Sequence, residues 1–209
     1  MLRIYAIGAA GLVVAMTAGV YIYTQLAGEP DKYAQCRSTA IAGGSSQIGG
    51  PFTLIDETGA TVTDAEVIDQ PALIYFGYTF CPDVCPLDTA RNAEAIDILE
   101  ERGLMVKPVF ISIDPERDTP EVVDAFTANL HERMLGLTGT PEQVREASRA
   151  YRTFYQKQEP SEGNEDYYLV DHSTMTYLVF PEEGFIEVFQ RSLRAEDVAD
   201  RVQCFLEAS

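Results

Sequence analysis

The chain has 209 residues, a formal net charge of −18, 46% hydrophobic residues, four cysteines and two histidines. That length suits one domain with additional segments. The strong negative charge argues against nucleic acid and anionic lipid headgroups as partners; it serves solubility first and is compatible with basic partners.

From Ile4 to Tyr23 the chain runs twenty residues without a charge. As a helix this stretch would be about 30 Å long, the thickness of a bilayer core. The apolar part of a cleavable signal peptide is shorter, about 7–15 residues, and Leu26-Ala27-Gly28 is a poor cleavage site. Residues 1–23 therefore read as an uncleaved, single-pass membrane anchor. Arg3 lies before it and Lys32 and Arg37 lie after it, so flanking charge says little about orientation. Cysteine usage says more. Four cysteines, two of them close together, fit an oxidising compartment or a metal site, which places the soluble part outside the cytoplasmic membrane. Residues 24–50 read as a stalk that includes the Gly/Ser-rich run from Ala42 to Gly50. The folded domain is 51–209.

Within it, Phe52 to Ile55 and Thr61 to Thr63 form a hairpin around Asp56-Glu57-Thr58-Gly59. Pro71 to Tyr78 is a buried strand, and Leu87 to Glu101 is a helix stopped by Gly103. Val106 to Ile113 is a second buried strand. Thr119 caps a helix beginning at Pro120 and running to Asn129. Met134 to Leu137 is a short strand, and Thr140 caps a helix from Pro141 to Tyr151. Glu159 to Asp166 is a solvated acidic loop. Tyr167 to Val170, Met175 to Phe180 and Phe185 to Phe189 are strands, and Ala195 to Glu207 is the closing helix. This order argues for an α/β sandwich with a mixed central sheet. Two cysteines just after the first strand of a β-α-β pattern point to a thioredoxin-like arrangement.

Those cysteines, Cys81 and Cys85, stand where a strand ends and a helix begins. Backbone N–H groups at a helix N-terminus stabilise thiolate, the form that binds metal or attacks disulfides. Pro82 and Pro86 restrict the loop. An offset of four residues is about one helical turn, so the sulfurs can converge. A purely structural disulfide here would close too small a ring to stabilise much. Dithiol oxidoreductases of this topology place two residues between the cysteines; here there are three, which alters the sulfur geometry and leaves room for a metal. Two thiolates can hold Cu(I), and an imidazole would complete a three-coordinate site. Zinc accepts a Cys, Cys, His and water set as well. His131 lies among charges after a helix and reads as a solvated surface residue. His172 precedes a buried strand, and position alone leaves it open between ligand and structural residue. Met105, Met134 and Met175 are scattered singly and read as core.

The remaining two cysteines are Cys36 and Cys204. On the last helix Val198, Ala199, Val202, Phe205 and Leu206 make the apolar stripe, and Cys204 points roughly opposite it. An exposed thiol in an oxidising compartment does not persist, and Cys36 is the available partner. A Cys36–Cys204 disulfide is expected.

Three motifs carry a resemblance: Tyr75-Phe-Gly-Tyr-Thr-Phe-Cys-Pro-Asp-Val-Cys-Pro86, Phe110-Ile-Ser-Ile-Asp-Pro-Glu-Arg-Asp-Thr-Pro120, and Val170-Asp-His-Ser-Thr-Met175. With them the chain resembles the Sco/SenC family, membrane-anchored, thioredoxin-like copper proteins of cytochrome c oxidase assembly. The likeness runs from about Pro51 to the C-terminus and includes the anchor. It implies Cys81, Cys85 and His172 as ligands of one copper ion, Cu(I) or Cu(II). It implies a metallochaperone rather than an enzyme, delivering copper to the binuclear site of oxidase subunit II. The alternative is a thiol–disulfide oxidoreductase that reduces the cysteines of that site. Further expected partners are a periplasmic copper donor or thiol reductant, with the soluble domain on the periplasmic side of the inner membrane. Asp114, Arg117 and Asp118 match the family's middle motif. Their default reading is an exposed loop ion pair worth little stability, and the alternative is a part in shaping the site or a docking surface. Asp83, between the thiols, can accept a local hydrogen bond or add negative charge near the metal.

Overall fold

The computed structural model describes residues 14–21, 31–37, 48–160 and 167–209. The chain divides into two compact units, Met1–Gln35 and Cys36–Ser209. In the first, residues 14–21 are helical. No helix among the described residues is long and apolar enough to cross a membrane. Residues 1–13 and 22–23 of the expected anchor lie outside the described residues, as do 24–30 and 38–47 of the expected stalk and 161–166 of the acidic loop.

The second unit is built on a seven-stranded sheet. Its strands are β1 (Thr53–Asp56), β2 (Thr61–Thr63), β3 (Ala72–Gly77), β4 (Lys107–Ser112), β5 (Leu135–Thr138), β8 (Met175–Phe180) and β9 (Gly184–Gln190), in the spatial order β2-β1-β5-β4-β3-β8-β9. β3, β4 and β5 run parallel, and β1, β8 and β9 pair antiparallel with their neighbours. The sheet is therefore mixed, as the element order predicts. The helices are α1 (Asp64–Val67), α2 (Val84–Glu101), α3 (Pro120–Ala128), α4 (Pro141–Ala150) and α5 (Ala195–Glu207). A separate two-stranded ribbon pairs β6 (Tyr155–Lys157) with β7 (Val170–His172).

β3 is buried at every position, so it reads as a continuous apolar run rather than an alternating one. One set of its side chains joins an aromatic cluster in which Phe76, Tyr151 and Tyr177 sit 5.4–5.9 Å apart. On α5, Val198, Ala199, Val202 and Phe205 are buried, as the stripe predicts, whereas Leu206 is only half-buried. α2 ends where Gly103, at φ 76°, lets its own N–H reach the Glu100 carbonyl and the Leu104 N–H reach Leu99. Thr119 and Thr140 accept the Val122 and Gln143 N–H groups, so both expected caps form ahead of a proline.

Some expectations fail. The strand expected over Tyr167 to Val170 is displaced to Val170–His172, and its partner β6 and the short α1 carry no clear periodicity. Met105 is 53% exposed, not core, although Met134 is buried. His131 is also displaced from its expected place: it is 9% exposed rather than solvated. Its burial is tolerated because both ring nitrogens are engaged. Nδ1 accepts the Arg133 N–H at 3.1 Å, and Nε2 faces Asp97 and Glu100 at 3.3 and 3.6 Å.

Cys36 and Cys204 are joined in a disulfide, with their Cα atoms 5.7 Å apart. Cys204 is half-buried on the side of α5 away from the core stripe. The adjacent Arg37 donates to the Ile186 carbonyl on β9 and lies 6.0 Å from the Phe205 ring centroid.

Candidate metal centre

β3 ends at Gly77, and Tyr78, Thr79 and Phe80 lead to Cys81. Gly77 has a packing reason. A Cβ there would come within 2.8 Å of the Tyr75 ring, 3.0 Å of Phe110 and 3.1 Å of the Cys85 sulfur. Only a glycine lets the sulfur close onto the strand. α2 begins at Val84, three residues earlier than the apolar pattern predicts, so Cys85 is already in its first turn. Asp83 occupies the N-cap but its side chain makes no cap bond. The Cys81 sulfur takes that role and accepts the Cys85 N–H at 3.4 Å.

Cys81 and Cys85 are 8% and 0% exposed and are free thiols. The Cys85 sulfur lies 3.2 Å from His172 Nε2. The ligand atoms of Cys81, Cys85 and His172 all lie within 4.8 Å of one another. The tautomer of His172 follows from its other nitrogen. Nδ1 lies 2.9 Å from the Ser173 carbonyl, which can only accept, so Nδ1 carries the proton and Nε2 presents a lone pair to the sulfurs. Two tyrosine rings bracket the imidazole edge-on, Tyr75 at 6.3 Å and Tyr78 at 5.8 Å.

The two thiols are not equivalent. A hydrogen bond from Cys85 holds the Cys81 thiol down to about 4 against the opposing effect of burial, helped by the Asp83 and Cys85 N–H groups and the Tyr78 hydroxyl. The same Cys81 interaction, with burial next, pushes Cys85 far up. The direction of these shifts favours the thiolate at Cys81 and the proton at Cys85. That one proton sits among three donors: two sulfurs and a ring nitrogen. A soft cation taking its place would meet two thiolates and an imidazole, a set that suits copper and also zinc.

The middle motif packs beneath this turn. Asp118 is fully buried. Its carboxylate accepts the Thr79 N–H at 3.0 Å, the Thr79 hydroxyl at 2.6 Å and the Ser112 hydroxyl at 2.5 Å, tying the turn before Cys81 to the end of β4. Burial raises its pKa despite these bonds. Arg117 and Asp114 do pair, with Nε 2.6 Å from Oδ2, but Asp114 is buried rather than exposed. The Arg117 guanidinium lies 3.6 Å from the Tyr168 ring centroid and 4.9 Å from Phe80. These three residues therefore support the turn and the ribbon and touch no ligand atom of the trio in any described hydrogen bond. Asp83 is exposed and contributes its backbone N–H, not its carboxylate. Tyr75 and Tyr78 are the site residues that sequence reasoning missed. Their signal was present, since they precede the cysteines on the same strand end, but a buried aromatic reads first as core.

A second trio, Asp97, Glu100 and His131, also gathers ligand atoms within 4.8 Å. Here the imidazole is turned the other way. Nδ1 accepts a backbone N–H, so Nε2 holds the proton and donates to the carboxylates. Glu100 is further paired with Arg133. This trio is a hydrogen-bonded charge cluster.

Known proteins share both fold and motifs. The family model described as SCO1/SenC matches residues 41–207. Protein SenC of Rhodobacter capsulatus is 54% identical over 180 residues, 86% of this chain and 80% of that one. Protein SCO1 homolog 1, mitochondrial, of Arabidopsis thaliana is 41% identical over 76% of this chain, which spans about half (47%) of the relative's length. Among solved structures, Arabidopsis thaliana ScoI with copper bound is 40% identical and superposes with a TM-score of 0.71, over 77% of this chain and 99% of that one. The fold is accordingly thioredoxin-like, and the chain belongs to the SCO1/SenC family.

Proposed function

We propose that this chain is a membrane-anchored copper chaperone. It binds one copper ion, Cu(I) or Cu(II), through Cys81, Cys85 and His172, and it assists assembly of the binuclear copper site of cytochrome c oxidase subunit II. The observation that carries this reading is the convergence of two free thiols and one correctly turned imidazole within 4.8 Å. A relative 40% identical to this chain has been crystallised with copper bound. Copper is the cargo here, so the residues must hold it and also let it go. Two thiolates supply soft donors that retain Cu(I), and His172 adds the third donor that Cu(II) needs. Residues 1–23 serve as the anchor, 24–50 as the stalk, and 51–209 as the copper domain, on the periplasmic side of the inner membrane. The uncharged run from Ile4 to Tyr23 supports that placement. A periplasmic copper donor loads the site.

A second reading, a thiol–disulfide oxidoreductase that reduces the subunit II cysteines, is favoured by one observation. The depressed Cys81 thiol provides an attacking thiolate at neutral pH, with Cys85 as the resolving thiol. Loading the reduced domain with copper and mixing it with an apo subunit II domain separates the two. Stoichiometric transfer that requires both cysteines supports the chaperone. Reduction of the acceptor's disulfide by metal-free protein, with no copper transfer, supports the reductase and overturns the first reading.

A further inference from the structure

His172 ends β7, a strand outside the main sheet, and only Ser173 and Thr174 separate it from β8 within that sheet. β7 pairs with β6, and neither strand is hydrogen-bonded into the seven-stranded sheet that carries the cysteine turn. His172 Nδ1 is bonded to the carbonyl of its own neighbour, Ser173, which fixes the ring on its strand but not the strand on the domain. The link to β8 holds one end of β7, and the contacts that fasten the rest of the strand to the metal side complete the placement of the third donor.

One side chain makes two of them. Tyr78 is buried in the turn just before Cys81. Its hydroxyl oxygen accepts the N–H of Val170, the first residue of β7, at 3.3 Å. Its ring packs edge-on against the His172 imidazole, 5.8 Å between centroids at 84°. The same ring lies 5.8 Å from the Arg117 guanidinium. Arg117 in turn donates to the Tyr168 carbonyl at 3.0 Å, two residues before Val170. Tyr168 closes the circuit by donating to Asp114 at 2.7 Å. Tyr78 thus touches the imidazole and the backbone of the strand that bears it, while belonging to the segment that bears the cysteines.

We propose that Tyr78 is the positioning residue that brings His172 to the Cys81–Cys85 pair, and so sets whether the site offers two donors or three. The metal-bound part of this inference rests on the copper reading above; the apo part does not. Tyr78→Phe keeps the ring and removes the hydroxyl that supports the Cys81 thiolate; if Tyr78 did no more than pack and make that bond, the Val170 amide and the His172 ring would be unchanged. As a positioning residue it loses the acceptor for the Val170 N–H. A hydrogen bond of this kind is worth about a factor of ten in an equilibrium. In apo Tyr78→Phe the Val170 amide should exchange about tenfold faster, opening locally, and the His172 Nδ1–H resonance should broaden. In copper-loaded protein, Cu(II) affinity should fall by about tenfold with loss of the imidazole nitrogen coupling in pulsed electron paramagnetic resonance. Cu(I), which two thiolates can hold, should change by less than about threefold. Tyr151→Phe, within the aromatic cluster, is the control and should move none of these.

Unchanged Val170 exchange and unchanged nitrogen coupling in Tyr78→Phe would overturn the inference. So would equal losses for Cu(I) and Cu(II), which mark a general structural role. If Tyr78→Phe does not fold, wild-type apo protein decides: a protected Val170 amide and a single sharp His172 Nδ1–H support the inference, and an unprotected amide overturns it. Wild-type protein that takes up no copper would sink the proposed function, while the apo measurements would still judge Tyr78.

Discussion

The protein has two cysteine pairs, and they are opposites. Cys36 and Cys204 are 168 residues apart in sequence and bonded. Cys81 and Cys85 are four apart, buried and free. The first pair joins the segment before the domain to its last helix, and its neighbours are structural: Arg37 reaches a β9 carbonyl and the Phe205 ring. The second pair sits at a helix N-terminus, where backbone N–H groups, a tyrosine hydroxyl and an imidazole converge on sulfur. Loop length explains why each pair suits its task. A long loop gains most from closure, in the chain-entropy model, and a four-residue ring gains little. The close pair is arranged for reactivity or metal binding instead.

Breaking each pair separately should give non-overlapping defects. Cys36→Ser should cost up to about 5 kcal/mol of unfolding free energy in that model and leave copper stoichiometry and affinity unchanged, as read by denaturant melts beside copper titrations. Cys81→Ser or Cys85→Ser should do the reverse. Replacing one soft thiolate should weaken Cu(I) about a thousandfold, roughly 4 kcal/mol, with little change in a melt taken below about pH 4, where the Cys81 thiolate no longer contributes. If Cys36→Ser also lost copper, the two regions would be coupled and the contrast would fail.

A smaller effect sharpens the boundary of the metal region. Asp118 accepts three hydrogen bonds from Thr79 and Ser112. Asp118→Asn turns one acceptor oxygen into a donor among donors. It should cost about 2 kcal/mol and loosen the turn that leads to Cys81, measured as faster amide exchange at Thr79. A neutral melt with unchanged Thr79 exchange would remove Asp118 from the support of the site.

A further effect is in pH. Cys81 is depressed in the folded state to about 4, whereas an unfolded thiol titrates near 8.5. A depressed acid contributes stability that is fully present above the unfolded value and is lost as pH falls through the folded one. Reduced protein should therefore lose stability progressively from about pH 8 toward pH 4, with the thiolate absorbance disappearing near the lower limit. Cys81→Ser should flatten that slope. Because Cys81 is already a thiolate at neutral pH and Cys85 is not, copper uptake near pH 7 should release about one proton, not two.

The contrast between the pairs also shows what a sequence can carry. Cys81 and Cys85 were legible because their setting is local: an apolar run, a turn and a helix start are contiguous. Cys36–Cys204 was legible because helical periodicity turned Cys204 off the core stripe. The strand and helix order was legible for the same reason, and so was the mixed sheet. His172 was not, from position alone; its tautomer and its 3.2 Å approach to Cys85 depend on a ribbon whose partner strand spans three residues without a pattern. His131 was misread because its burial rests on Asp97 and Glu100, near the end of α2 and distant from His131 in sequence. The Asp114–Arg117 pair was recognised but taken as exposed, since charge runs are usually solvated; here Tyr168 and Phe80 cover it. Tyr78 was hidden because a buried tyrosine declares its apolar ring and not the destination of its hydroxyl.

The central claim is that the free pair, as thiolates with His172, forms the copper site. The most direct test is titration of Cu(I) and Cu(II) into the same protein with Cys81 and Cys85 reduced and then joined by oxidation, Cys36–Cys204 being intact in both. A disulfide sulfur is a very poor metal ligand. The reduced form should bind one copper per chain, and the oxidised form, left with His172 alone, should bind it at least about a thousandfold more weakly. Equal affinity in the two forms would contradict the assignment of these cysteines as ligands.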